Sequence, residues 1–281
     1  MREFPNFKWV IASREEWKGN GLVHVMQVEG FSSSEAVDLV AKIGGILTPT
    51  AKLTIEAIQA TLQGKPLMLE LAIKWLDSSL LQNPDRIPGL SKVDLERAML
   101  EPLRRLGSSI FGDDSASDAI YYTILYMAYC NHRFSEELLQ RLSEKRFIDL
   151  GGLKAAEILK RIITSCFFTK IRPDGIIQLH DEMERLIIEN LWTEYDPEGT
   201  IRKELGGEVV SWYDEQITNN AENFALRGDL EAEQLFYQLR LNFNKNISRF
   251  ATLFDKYYYT NNDLSSCEEL VMEIERSEFA P

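Results

Sequence analysis

What the chain lacks sets its first limits. Its 281 residues hold three histidines and three cysteines, and Cys130, Cys166 and Cys267 stand far apart with no CxxC spacing. That excludes a disulfide framework and a cysteine zinc site, and makes a reducing cytoplasm the expected compartment. No apolar run nears the roughly 18 residues of a membrane span, and Met1 to Asn6 has no signal-peptide apolar region. Positive charge is short: 31 Lys and Arg against 44 Asp and Glu leave a net charge of −13. Such a surface disfavours nucleic acid as a partner of the whole chain, because phosphate contacts need a basic footprint. No Gly-x-x-x-x-Gly-Lys-Ser/Thr occurs, and no apolar run ends in paired acids that would hold Mg²⁺. Phosphoryl transfer needs both a phosphate cradle and a metal. The chain is therefore not expected to hydrolyse ATP alone. No Ser/His/Asp or Cys/His arrangement replaces them, and the histidines are too scattered for a metal site.

What is present is mostly helical patterning. Residues 7–12 predict a short buried strand ending in polar Ser13-Arg14, and Val23 to Val28 a second. Ser32-Ser33-Ser34-Glu35 predicts a capping box opening a helix. Thr50 to Leu80 predicts helix with a break at Gly64-Lys65-Pro66, proline being tolerated in a first turn where its missing N–H has no partner. Asp94 to Leu106 is an amphipathic helix, and Gly112 to Ser115 a loop that serves as a domain boundary. Three short helices follow, one over residues 119–129, one starting at Ser135 to Leu139 and one over 153–164. A hairpin comes next, Cys166 to Lys170 and Ile176 to Leu179 around Arg172-Pro173-Asp174-Gly175. Asp181 to Trp192 is helical again. Residues 198–280 predict helix after helix, with Arg227 to Glu233 read as a helix–turn–helix junction of tetratricopeptide-like type. Charge is uneven: residues 130–175 carry nine Lys and Arg against six acids, so the remainder carries −16. That mild basic block is either a solvated face or a nucleic-acid surface.

Three residues carry the chemical argument. Arg14, just past a buried strand, either clamps a phosphate through its guanidinium or simply opens a loop as a surface arginine. Pro66 either packs a rigid ring on a flat base or merely starts a helix. His180, between a strand and a helix beginning Asp181-Glu182, either donates to a phosphate at a helix N-terminus or is a structural junction residue. Lys65, Trp75, Trp192 and Tyr257 to Tyr259 read as packing or solvated positions.

In order, these segments resemble the STAND class of signal-transduction ATPases, which includes NB-ARC proteins. Lys8 to Arg14 resembles its sensor 1 strand. Val25 to Ser32 with Glu35-Ala36 resembles the strand and helix that follow. Gly64-Lys65-Pro66-Leu67 resembles its Gly-x-Pro lid motif. Leu179-His180-Asp181 resembles its Met-His-Asp motif, with Leu for Met. The resemblance implies a mainly α chain: the remnant of an α/β ATPase core (1–45), a helical lid (46–112), a winged-helix domain (113–195) and TPR-like α-helical hairpins (196–281). It implies that Arg14 senses the γ-phosphate, Pro66 packs near adenine and His180 contacts the ADP β-phosphate. ATP or ADP would bind only with the P-loop portion of the same or a partner chain. It also implies homo-oligomerisation in the ATP state and protein ligands on the C-terminal helices. The competing readings are a helical, winged-helix adaptor that binds proteins and no nucleotide, and a winged-helix DNA-binding regulator.

Overall fold

The computed structural model describes residues 30–43, 49–75, 91–111, 114–130, 133–172, 175–261, 263, 264, 266–268, 270 and 271. They are mainly helical. In order run α1 (Ser33–Ile43), α2 (Pro49–Leu62), α3 (Pro66–Trp75), α4 (Lys92–Phe111), α5 (Asp114–Tyr129), α6 (Glu136–Glu144) and α7 (Ala155–Ser165). The strands β1 (Thr169–Ile171) and β2 (Ile177–Leu179) pair antiparallel with Lys170 opposite Gln178. Then come α8 (Asp181–Leu186), a π-helical segment Ile187–Trp192, α9 (Thr200–Asn219), α10 (Phe224–Leu241), α11 (Phe243–Asp255) and a second π segment Lys256–Asn261. Among the described residues no helix is long and apolar enough to cross a membrane. The strands expected at 7–12 and 23–28 lie outside the described residues.

Local chemistry sets several boundaries. The Ser32 backbone N–H and hydroxyl both donate to a Glu35 carboxylate oxygen, at 2.8 and 2.7 Å, so the capping box opens α1 as its sequence dictates. The Ser135 hydroxyl accepts from the Leu138 amide and opens α6. The hairpin turn closes through Gly175 N–H donating to Arg172 C=O at 2.9 Å. Of the loop expected from Gly112 to Ser115, Asp114 and Ser115 lie in the first turn of α5.

The expected junction at Arg227 to Glu233 is a correction: these residues lie inside α10. The turn is instead Asn220 to Asn223, where the Asn223 side chain accepts from the Leu226 amide. Gly228 serves close packing rather than a turn. A Cβ there would lie 2.4 Å from Ser266 Oγ, so the missing side chain lets the Ser266 hydroxyl pack directly on α10.

One buried apolar cluster runs from Ala36 to Tyr237 and includes residues of every helix from α1 to α10. Trp192 sits at its middle, fully buried, with its indole N–H donating 2.8 Å to Leu125 C=O. Its ring meets Tyr126, Tyr129 and Tyr195 at centroid distances of 5.4, 5.7 and 5.5 Å. Tyr129 continues the aromatic seam to Tyr237, and Tyr237 to Tyr213. The seam joins the helix–hairpin unit (114–195) to the α9–α10 pair by shape and dispersion. A smaller cluster holds α10 to α11 and the residues beyond.

Candidate functional site

The site grows from the chain reversal between α2 and α3. Gln63 and Gly64 both adopt positive φ, 56° and 66°, which turns the backbone out of one helix and into the next. The reversal presses on Gly30-Phe31: Phe31 N–H donates to Gly64 C=O at 2.8 Å. A Cβ on Gly64 would stand 2.2 Å from Phe31 C=O oxygen. Glycine is therefore required twice at this position, by φ and by contact. Pro66 then opens α3 with its ring exposed.

The second half of the site is the end of the hairpin. His180 N–H donates to Phe168 C=O at 2.8 Å, and His180 C=O accepts from the amides of Met183 and Glu184. His180 thus stands at the N-cap of α8, exposed, and its imidazole makes no capping bond to the helix amides.

An ion pair joins the two halves. Lys65 Nζ lies 2.5 Å from Glu182 Oε1, across 117 residues of sequence. Lys65 immediately precedes Pro66, and Glu182 falls in the first turn after His180, so this contact seats the two motifs against each other. Arg185, one turn further along α8, extends the link. It reaches Glu182 at 3.3 Å, ion-pairs with Glu189, and donates 2.9 Å to Glu96 on α4. Glu96 is 4% exposed and also has Lys92 at 3.9 Å. Burial opposes ionisation of Glu182, but the hydrogen bond and charge of Lys65, with the charge of Arg185, outweigh it and hold its carboxyl below the usual value. Desolvation likewise works against the Arg185 cation, and Glu96, Glu189 and Glu182 more than restore it.

Of the three residues singled out from sequence, Pro66 and His180 head helices that this network joins, and Arg14 lies outside the described residues. Lys65 was read as a packing or solvated position, yet it is half of the joining pair. Glu182, Arg185 and Glu96 were missed. The local part was legible, because Glu182, Arg185 and Glu189 share a face at i, i+3 and i+7. Their partners on α4 and at Lys65 come from far along the chain and left no local signal.

Five of the nine cations in the basic block at 130–175 form ion pairs within the molecule. Arg133 is held by Glu233 at 2.8 Å with both side chains about nine-tenths buried. Arg141 meets Glu208 and Glu215 at 2.5 and 2.6 Å. Lys145 faces Glu208, Lys170 faces Asp181, and Arg172 approaches Glu233. The exposed face of α7 carries Ala156, Glu157, Lys160 and Thr164, a mixed surface with little to attract a phosphate backbone. Among the described residues no group of three or more His, Cys, Asp or Glu is placed to hold a metal ion. No protein-family model, no curated protein and no solved structure matches the chain.

Proposed function

We propose that this chain is the regulatory part of a STAND-type ATP/ADP switch. In this reading α2 to α4 form the lid, α5 to α8 with the hairpin form the winged helix, and α9 to α11 are the start of a TPR-like helical sensor. Pro66 packs near adenine, His180 contacts the β-phosphate, and Arg14 senses the γ-phosphate in a core completed by a P-loop segment of the same or a partner chain. The observation that carries the reading is the Lys65–Glu182 ion pair, which bridges the Gly-Lys-Pro turn and the helix that begins after His180. Two motifs whose proposed ligand is shared must meet in space, and a charged bond one residue from one and two from the other is what a closed state requires. Nucleotide shifts such a closed state only through its different affinity for closed and open forms.

The test starts with the reading frame upstream of Met1. A Gly-x-x-x-x-Gly-Lys-Ser/Thr segment roughly 80–120 residues earlier supports the switch. The joined protein is then titrated with fluorescent ADP, and His180→Ala weakens binding about ten-fold, the worth of one charge-assisted hydrogen bond. A stop codon directly upstream favours the nucleotide-free adaptor, and ADP binding indifferent to His180 overturns the switch.

A second reading, a protein-binding adaptor without nucleotide, is favoured by one observation: the core runs unbroken from α1 to α10, as suits a rigid scaffold. The DNA-binding reading is opposed by the mixed face of α7 and by the internal ion pairs that engage five of the block's nine cations.

A further inference from the structure

An open groove of about 740 Å³ lies where the helix–hairpin unit meets the α9–α10 pair, far in sequence from the lid turn. That volume falls within the range of sites that engulf a side chain and its neighbours. One wall is the first turn of α6 with the hairpin turn; the other is α9 with the start of α10. Trp212 and Ile176 reach it from the core, 4% and 8% exposed, and half-buried Leu226 stands beside them, so part of its lining is apolar.

Its rim is acidic. Glu136 and Glu137 are exposed in the first turn of α6 and project beside the groove. The one cation among the described lining residues, Arg133, is held by Glu233 through two hydrogen bonds at 2.8 and 3.2 Å. The N-terminus of α6 adds about half a positive charge, which leaves the two carboxylates in excess. The chain's net charge of −13 adds to that field at longer range. Amide side chains at Gln140 and Gln216 supply donors and acceptors of the kind that pair with a peptide backbone.

We propose that this groove docks a basic peptide segment of a protein partner, an apolar side chain on the Trp212–Leu226 surface flanked by Lys or Arg against Glu136 and Glu137. The apolar floor provides the anchor, and the carboxylates select the sign of the flanks. Its two walls belong to different parts of the chain, so an occupant bridges them. The inference does not depend on nucleotide binding and stands or falls separately from the switch.

Fluorescence polarisation of three dye-labelled hexapeptides against the full chain tests it: Lys-Lys-Leu-Phe-Lys-Lys, Glu-Glu-Leu-Phe-Glu-Glu and Lys-Lys-Ser-Ser-Lys-Lys. Only the first is expected to bind saturably, with an affinity that falls as salt rises. The pair Glu136→Gln with Glu137→Gln is expected to weaken it about five-fold, as two exposed ion pairs allow. Leu226→Ser is expected to weaken it about ten-fold. Should Leu226→Ser lose the native fold by circular dichroism, Gln216→Lys at the half-buried rim takes its place and weakens binding by repulsion. Equal binding of the acidic or the anchorless peptide overturns the proposal. So does indifference to the double Gln variant, or no saturable binding of the first peptide below about 1 mM.

Discussion

Replacing Glu182 by lysine is expected to open the contact between the α2–α3 turn and α8 without unfolding the molecule. The magnitude follows from geometry. Two unit charges 4 Å apart interact by about 4 kcal/mol at an effective dielectric near 20 and by about 1 kcal/mol in water. Lys65 keeps 39% of its side chain exposed and Glu182 29%, so the solvated end of that range governs, about 1 kcal/mol. Reversal changes that attraction into a repulsion of similar size, about 2 kcal/mol in all, or roughly thirty-fold in the opening equilibrium. Arg185, 3.3 Å from Glu182, adds repulsion in the same direction. Hydrogen exchange reads the effect: at low salt the amides of α3 exchange about thirty-fold faster, while those of α10 stay protected. Lys65→Glu combined with Glu182→Lys restores part of the protection, a coupling that separate effects cannot produce. At 0.5 M salt the difference shrinks. Strictly additive single changes, or equal acceleration in α3 and α10, would refute the reasoning.

Three further outcomes follow from the same structure. Gly64→Ala places a Cβ 2.2 Å from Phe31 C=O at φ +66°, so it costs about 3 kcal/mol in a denaturant titration; a cost below about 0.5 kcal/mol, the range of neutral surface changes, would show that the turn is not built as described. Glu233→Ala leaves the buried Arg133 guanidinium without its carboxylate and Tyr213 without its acceptor. A loss of about 3 kcal/mol is expected, and Glu233→Gln recovers part of it by keeping the hydrogen bonds. Acidification loosens the Lys65–Glu182 contact. The Glu182 carboxyl is held below its ordinary 4.5, so its contribution is complete above that value and is lost as pH falls through the folded value. Protection of the α3 amides, taken relative to their intrinsic exchange rates, therefore falls below about pH 4.5, and Glu182→Gln reduces that pH dependence.

Much of the helical layout was legible because it rests on contacts within a few residues. Ser32 with Glu35, Ser135 before α6, and the Arg172–Gly175 turn each bond to near neighbours, so composition and spacing suffice to place them. Gly64 and Pro66 announced a helix break for the same reason. Gly228 misled, since a glycine inside a helix reads as a turn until the Ser266 side chain that fills its missing Cβ is seen. The π segment at Ile187–Trp192 gave no signal either, because its pattern of apolar residues also suits an α-helix. Its geometry accompanies the burial of Trp192 against Tyr126, Tyr129 and Tyr195.

By itself, then, the sequence determined a mainly helical chain with a hairpin at 166–179, a break at Gly64 and helix starts at Pro66 and after His180. Tertiary structure alone decided that Lys65 meets Glu182 across 117 residues, that Arg185 reaches the buried Glu96, and that five cations of the basic block at 130–175 meet acids on α8, α9 and α10. The physical reason is range. Helix periodicity and caps act over three or four positions, whereas which carboxylate a cation finds depends on how whole faces pack, and only the folded core sets that.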